Sequence, residues 1–402
     1  MFGSFADAET FPYASAPEEH RVLFDSIKPA ILENGRSPVK PLSESSESWF
    51  WINAHNLNPL LDAYDYSGDP AFLDVFVDRM KAILGQRYVH PTEPETWSGW
   101  YHFKVRTHSY MVIHAGIVYY KPALRFIEAI RARPDLQSRY GILPNIWLED
   151  ITQVSIPAWD RRGCWKEIGE DEGWYIKITQ KPDPETHELV PEADRLAGTT
   201  FAFNKLHEML NGFLIAWRIT GNEGYRERIE KCARIFRRHW RVDETHAEWH
   251  YRELLGPWDY KSGQVDDGDT YHKPYIHPKG GYYGTDVGYV VACYNHGIQF
   301  DRADIEKLIQ TNLDFMYRGE DAEPRFTNIN GAFKIYEEKE KRSWGRGSLW
   351  TSLAQFSPRV RELWKAQIDR SDPDSYGYPN SAMSYLLALS KPISWDRKYV
   401  SP

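Results

Sequence analysis

The stretch SWFWINAHNLNPLLDAYDYSGDPAFLDVFVDRMKAIL, residues 48–84, has apolar side chains at helical spacing on both sides of the break at 67–70. Recurrence of apolar residues at i, i+3, i+4 and i+7 predicts amphipathic helices. Glycine favours the end of a helix, and proline favours the first position of the next one. The stretch therefore predicts a helix hairpin, with Asp69 as the cap and Pro70 at the first helical position.

The same hairpin recurs at 211–236 as NGFLIAWRITGNEGYRERIEKCARIF. Its Ala-Trp-x-x-Thr-Gly-Asn run matches Ala-Tyr-x-x-Ser-Gly-Asp of the first hairpin position for position. Further helix pairs are predicted at 107–133 and 285–317, and weaker ones at 346–367 and 379–390. Hairpin repeats of unequal loop length predict an all-α protein, an (α/α) toroid of about six to seven helix hairpins with minor β-hairpin insertions.

The chain divides into an N-terminal arm at 1–45 and a toroid catalytic domain at 46–402. The arm is polar and holds one predicted helix near Arg21–Glu33, and we expect it to pack on the barrel. Long insertions fall at 134–198 and 240–284. Within the first of these, alternating residues followed by a Pro/Asp turn predict a β-hairpin at 174–190.

Composition excludes several classes of partner. The net charge is −8, and the basic residues are scattered, which argues against a nucleic-acid or anionic-membrane surface. No apolar run is long enough to span a membrane. The three Cys residues are far apart, so no disulfide framework is indicated. No signal peptide is visible, and the location stays open between a secreted or periplasmic protein with its signal removed and a cytoplasmic one. The sequence leaves the oligomeric state open.

In the predicted toroid the Gly-Asp and Gly-Asn turns lie on one rim, so the segments that lead into the inner helices gather at the opposite mouth. These lead-in segments are 44–53, 97–108, 197–204, 277–286, 343–350 and 376–381. They are rich in indole rings, amides, imidazoles and guanidinium groups, which suit a sugar polymer. The residues predicted to bind substrate are Trp49, Trp51, Asn53, Trp100, Arg106, His108, His277, Trp344 and Arg346.

The segment 246–296 has the highest density of chemically active side chains, with five His, two Trp and eight Tyr. Loops on a rigid scaffold are where binding and catalytic residues collect. This segment is therefore predicted to form a wall of the site.

The mouth is poor in carboxylates, and this favours β-elimination on a uronic acid polymer over hydrolysis, which needs two carboxylates. Donors must first neutralise the uronate carboxylate, and then a Tyr or His takes the C5 proton. A cation such as Arg252 would lower the pKa of a tyrosine base. The predicted catalytic residues are Asn204, His207, His250, Arg252, Tyr260 and Tyr283.

Several of these assignments have a structural alternative. His207 is either a ligand-facing residue on the Asn204 face of its helix or a core histidine. His250 and Arg252 either act on substrate or stabilise their loop. Of Tyr283 and its neighbour Tyr282, one is expected to face the site and the other to pack in the core, and the sequence does not distinguish them. No metal-binding spacing is present, so neither a metal nor another cofactor is predicted.

The helix pairs, the Asn204 helix, the WHYR loop at 249–252 and HPKGGYYGTDVGYVV at 277–291 resemble the α-toroid polysaccharide lyases, most closely family 38, which includes alginate and glucuronan lyases. The resemblance implies an (α/α) barrel, a site of Asn, His, Arg and Tyr, and no obligatory metal. Asn204 matches the family's amide. The family's His matches either His207 or His250, and its Tyr matches either Tyr260 or Tyr283. His277 stands where the family would place an Arg.

The expected function is a polysaccharide lyase that cleaves an acidic polysaccharide of glucuronan or alginate type. One alternative is a glycoside hydrolase on the same toroid that pairs Asp286 with Asp267 or Asp269. The other is a toroid that binds glycans without catalysis.

Overall fold

A computed structural model describes residues 11–42, 48–100, 114–183, 185–192, 194–265, 267–320, 324–332 and 347–399. Most of these residues are helical, which confirms the all-α class. The helices are α1 (Pro12–Ser15), α2 (Glu18–Arg36), α3 (Ser48–Ser67), α4 (Ala71–Leu84), α5 (Lys121–Arg131), α6 (Pro134–Tyr140), α7 (Leu143–Glu149), α8 (Pro157–Arg161), α9 (Phe203–Thr220), α10 (Glu223–Arg238), α11 (Tyr282–Asn295), α12 (Arg302–Gln310), α13 (Pro358–Arg370) and α14 (Tyr378–Leu389). Single π-helical turns precede α5 and follow α7 and α12, at Gly116–Tyr120, Asp150–Ser155 and Thr311–Met316.

The helices close into a toroid. Helix α3 packs against α5, α5 against α9, and α9 against α11. A short 3-10 helix at Thr351–Gln355 connects α11 to α13, and α14 returns to α3. Outside this ring, α4, α10 and α12 each cover the inner helix that precedes them in the chain. The predicted (α/α) toroid is confirmed.

The hairpin turns have the predicted chemistry. Gly68 and Gly221 have φ of 72° and 67°, a left-handed conformation that favours glycine. Asp69 accepts the backbone N–H of Ala71 at 3.0 Å, and Asn222 accepts that of Gly224 at 3.0 Å. Helix α4 begins at Ala71, one residue after the predicted start at Pro70. Both turns therefore end one helix and cap the next.

Helix α2 is the helix predicted near Arg21–Glu33. It packs against α3, α4 and α14, and its buried side chains Phe24, Ile27 and Ile31 join the main hydrophobic core. Burial of each such side chain stabilises the fold by about 1.5–3 kcal/mol. Helix α2 of the N-terminal segment therefore contributes side chains to the core of the ring.

The strands are short and form two-stranded antiparallel sheets. They are β1 (Tyr88–Val89), β2 (Ser98–Gly99), β3 (Trp165–Glu167), β4 (Gly173–Tyr175), β5 (Gln180–Pro182), β6 (Leu189–Pro191), β7 (Arg241–Val242), β8 (Ala247–Glu248), β9 (Tyr317–Arg318) and β10 (Arg325–Phe326), paired in chain order. The hairpin predicted at 174–190 corresponds to β5 and β6. Its turn is fixed by Asp183, whose carboxylate accepts the N–H groups of Glu185 and Thr186 at 2.9 Å. Ile176 and Ile178 lie before these strands instead of within them.

No helix in the described part of the chain is long and apolar enough to cross a membrane.

Candidate active site

Backbone hydrogen bonds bring three separated segments to the N-terminal end of α9. The N–H of Phe203 donates to the carbonyl of Tyr251 at 3.1 Å, and the N–H of Tyr251 donates to the carbonyl of Tyr275 at 2.8 Å. The side chain of Asn328 donates to the carbonyl of His277 at 3.0 Å. The start of α9, the WHYR loop and residues 275–277 therefore form one continuous wall.

This wall encloses an open cavity of about 520 Å³. We call it the basic tyrosine pocket. It is lined by Arg195, Leu196, Lys205, Tyr251, Arg252, Tyr271, His272, Lys273, Tyr275, His277 and Tyr282. Four of these residues are cationic, four are tyrosines, two are histidines, and none carries a carboxylate. A pocket with this composition favours a ligand that is both anionic and rich in hydroxyl groups.

Arg252 is the cation most deeply embedded in this wall. The residue is only 4% exposed, and its Nε has no hydrogen-bond partner in the described ranges. No ion pair of its guanidinium is found within the described part of the chain. A buried charge without a partner is costly, and a ligand anion would remove much of that cost. The guanidinium also acts on Tyr275: burial raises the pKa of that tyrosine, and the positive charge of Arg252 partly opposes the rise.

His277 lines the pocket as a neutral hydrogen-bond donor. Burial and the positive charges of Lys279 and Lys205 lower its pKa to about 4. Its Nδ1 accepts the backbone N–H of Lys279 at 3.0 Å, so in the neutral ring the proton resides on Nε2. The ring lies 4.7 Å from those of Tyr251 and Tyr282, measured between centroids. His277 can therefore donate to an anionic ligand but is poorly suited to accept a proton through Nε2.

Asn204 occupies the first turn of α9, directly before the pocket residue Lys205. It is 1% exposed, and neither its amide oxygen nor its amide nitrogen has a hydrogen-bond partner among the residues that the structure describes. Buried amides normally satisfy their hydrogen bonds. The Asn204 amide is therefore able to bind a polar group of a ligand.

His207 lies one turn deeper and is fully buried. Its Nδ1 is 2.6 Å from the carboxylate of Asp286, which also accepts the indole N–H of Trp249 at 2.9 Å. Burial raises the pKa of Asp286, and the hydrogen bonds from His207 and Trp249 oppose that rise. This network joins α9, α11 and Trp249, the first residue of the WHYR loop. His207 and Asp286 are thus enclosed in the protein and do not line the pocket.

The two predicted tyrosines lie outside the lining of the pocket. Tyr283 is fully buried, and its hydroxyl accepts the backbone N–H of His277 at 2.8 Å, so it holds the His277 segment in place. Tyr282, its neighbour, lines the pocket instead. Tyr260 is half-buried and bridges to Thr270 through the backbone. Arg252, expected from the sequence to act on Tyr260, forms a backbone bridge with Tyr275 and lowers the pKa of that tyrosine against the effect of burial.

His250 belongs to a loop network beside the pocket. Its Nδ1 lies 2.6 Å from the carboxyl group of Glu253 and 2.8 Å from the guanidinium of Arg241. Burial raises the pKa of Glu253 to about 7, and burial followed by the charge of Arg241 lowers the pKa of His250 to about 4. The structure therefore places His250 in the loop-stabilising arrangement that was its alternative.

The tryptophans that were predicted to bind substrate do not gather at the mouth of the toroid. Trp49 is 3% exposed and donates its indole N–H to the carbonyl of Lys40, and Trp100 is 1% exposed and donates to Ile83. Neither presents a face to a ligand, because both are packed in the core. Trp51 remains half-buried.

Asn53 is also committed within the protein. Its amide oxygen accepts the guanidinium of Arg79 at 2.8 Å, and its amide nitrogen donates to the Trp49 carbonyl at 2.9 Å. The remaining predicted binding residues, Arg106, His108, Trp344 and Arg346, lie outside the described residues.

Several lining residues were missed by reasoning from the sequence, namely Arg195, Lys205, Tyr251, Tyr271, His272, Lys273 and Tyr275. Most of them fall in the segment 246–296, whose density of His and Tyr was the available signal. Arg195 and Lys205 carry no such signal, because their role depends on the position of α9 beside this segment.

In the part of the chain that the structure describes, no group of three or more His, Cys, Asp or Glu side chains is arranged to hold a metal ion.

Neither a family model nor a curated protein matches this chain. The similarity to polysaccharide lyase family 38 therefore stays a resemblance. Among solved structures, the GH76A α-1,6-mannanase of Salegentibacter sp. HEL1_6 is similar over 92% of this chain and 100% of its own, with 11% identity and a TM-score of 0.46. An inactive variant of that mannanase in complex with α-1,6-mannotriose is similar over 92% and 99%, with 10% identity and a TM-score of 0.46.

The unsaturated glucuronyl hydrolase of Bacillus sp. GL1 is similar over 87% of this chain and 77% of its own, with 14% identity and a TM-score of 0.38. Similarity at these levels identifies neither the substrate nor the reaction of this chain.

Proposed function

We propose that this protein is a polysaccharide lyase that cleaves a uronic-acid-containing polysaccharide by β-elimination in the basic tyrosine pocket. The observation that carries the proposal is Arg252, a buried guanidinium that forms no ion pair within the described residues and lies in a pocket lining without a carboxylate. A uronate supplies the missing anion. It also supplies hydroxyl groups and an apolar C–H ring face that a tyrosine-lined pocket accommodates.

The first task of the site is to neutralise the substrate carboxylate. The C5 proton of a uronate becomes acidic only when donors stabilise the negative charge that develops on the carboxylate. Arg252, Lys205 and the Nε2–H of His277 are the donors we assign to this task. Asn204 adds an amide that forms no side-chain hydrogen bond to the described residues. Charge-assisted hydrogen bonds of this kind contribute about 1.5–3 kcal/mol each.

The second task is to protonate the leaving O4 oxygen. We assign it to Tyr275, which is 41% exposed at the pocket. Its raised pKa keeps the phenol protonated at neutral pH, and the nearby charge of Arg252 stabilises the phenolate that forms when the proton is transferred. Tyr275 thus replaces Tyr260 and Tyr283 as the proposed tyrosine.

A glycoside hydrolase is the second candidate, because the loop that delivers Tyr271 to the pocket also carries Asp267 and Asp269. Asp286, their predicted partner, is 1% exposed and bonded to His207 and Trp249. Asp269 forms an ion pair with Lys261 at 2.8 Å. A glycoside hydrolase would therefore need catalytic carboxylates from the loop that carries Asp267, without Asp286.

One assay separates the candidates. The protein is incubated with glucuronan, polymannuronate and polyguluronate while the ultraviolet absorbance of unsaturated products and the appearance of reducing ends are followed. A lyase generates both signals together. Reducing ends without absorbance would favour the hydrolase. Binding without either signal, unaffected by Tyr275→Phe, would favour a glycan-binding toroid.

A further inference from the structure

Asp259 is a buried carboxylate outside the residues discussed so far. It is fully buried and ends the short 3-10 helix Pro257–Asp259. It accepts the N–H and the hydroxyl of Thr200 at 2.9 and 2.5 Å, and the N–H groups of Leu255 and Gly256 at 2.9 and 3.4 Å. Burial alone would raise its pKa, but the hydrogen bonds from His272, Thr200 and the backbone lower it. Asp259 is therefore an ionised carboxylate that can only accept.

His272 is the remaining partner of this carboxylate. Its Nε2 lies 3.0 Å from Asp259, and the carboxylate can only accept, so Nε2 must carry a proton. In the neutral ring Nδ1 then holds the free lone pair. Within the described part of the chain Nδ1 has no hydrogen-bond partner, while His272 itself lines the basic tyrosine pocket. The pair thus has the carboxylate–imidazole arrangement that fixes the tautomer of a general base.

We propose that His272 is the general base of the elimination and that Asp259 is its positioning residue; this inference rests on the proposed lyase function. Nδ1 of His272 takes the C5 proton, and the electrons of the C5–H bond form the C4=C5 double bond. The C4–O4 bond breaks, and O4 leaves with its electrons and receives the proton of Tyr275. The proton on His272 then returns to the Tyr275 phenolate through solvent, which restores both groups.

The assignment also separates the roles of the two histidines in the pocket. His277 uses Nδ1 within the protein and offers an N–H, whereas His272 uses Nε2 within the protein and offers a lone pair. Catalytic contacts often form only in the substrate complex, so the enclosed position of Nδ1 in the unliganded pocket is compatible with its role.

His272→Gln is the variant that isolates the base. A glutamine amide retains a donor toward Asp259 but has no basic nitrogen. We expect kcat to fall by about 100- to 10,000-fold, the usual contribution of a general base, while the dissociation constant of an oligouronate changes less than about threefold. The acidic limb of the kcat–pH profile, which reports a base that must be deprotonated, should disappear. His20→Gln, on helix α2, is the control and should behave as the wild type.

Two further measurements test the assignment. Imidazole added to His272→Ala should restore part of the lost rate. In histidine NMR spectra of the wild type at neutral pH, His272 should show a protonated Nε2 and a bare Nδ1. A His272→Gln enzyme with an unchanged rate and acidic limb, or a His272 ring protonated on Nδ1, would overturn the inference while leaving the lyase proposal intact. Absence of unsaturated product from the wild type on every uronan would instead overturn the proposed function.

Discussion

Replacement of Arg252 by Met should weaken catalysis without weakening the fold. Methionine keeps an unbranched apolar stem of similar reach but removes the charge. The Arg252 residue is 4% exposed, and its Nε has no hydrogen-bond partner among the described residues, so removal of the guanidinium relieves a desolvation cost. The melting temperature should therefore stay the same or rise.

Catalysis should respond in the opposite direction. Loss of one charge-assisted hydrogen bond of about 1.5–3 kcal/mol corresponds to a decrease of about 10- to 150-fold in kcat/KM. Initial rates of unsaturated-product formation over a range of substrate concentrations measure this decrease. Arg252→Lys should fall between the wild type and Arg252→Met, because it keeps the charge but loses the planar donor geometry.

Arg302→Met provides the matched control, since Arg302 is an exposed arginine on α12 whose partner is Glu306. It should leave kcat/KM unchanged. The reasoning would be refuted if Arg252→Met lowered the melting temperature and left kcat/KM at the wild-type value, because Arg252 would then be a structural cation. A weaker dependence of kcat/KM on ionic strength in Arg252→Met would further support a direct contact with the anionic substrate.

Three further predictions concern the neighbouring residues. Asp286→Asn should lower the free energy of unfolding by about 3 kcal/mol in urea titrations, because it disrupts the buried network of Asp286, His207 and Trp249. A loss of rate with unchanged stability would show instead that Asp286 acts on substrate. Tyr275→Phe should abolish formation of the unsaturated product. Tyr283→Phe should mainly lower the free energy of unfolding, by about 1–3 kcal/mol, because the N–H of His277 loses its acceptor. The reverse pattern of rates would make Tyr283 the proton donor in place of Tyr275. Between pH 7 and 4.5 the free energy of unfolding should fall by about 2–2.5 kcal/mol through His296 alone. Burial and Arg218 lower the folded pKa of His296 to about 4 against a backbone hydrogen bond that raises it, so the unfolded chain binds the proton first. His296→Gln should show a correspondingly smaller pH dependence in urea titrations, and an equal pH dependence would exclude His296 as its source.

The sequence by itself determined the helix hairpins and hence the toroid. The turns at Gly68 and Gly221 and the apolar spacing around them are local signals, which depend only on residues a few positions apart. The density of His and Tyr at 246–296 likewise indicated one wall of the candidate site, and Arg252 and His277 do line the pocket.

The tertiary structure alone decided which side chains of that wall face the pocket. Tyr282 and Tyr283 are adjacent and chemically alike, yet one lines the cavity and the other holds a backbone N–H, because helical rotation places neighbouring residues on different faces. The pairing of Asp259 with His272 also depends on a fold in the loop after the WHYR segment. Such contacts arise where the segment 246–296 folds back on itself, so spacing along the chain does not reveal them.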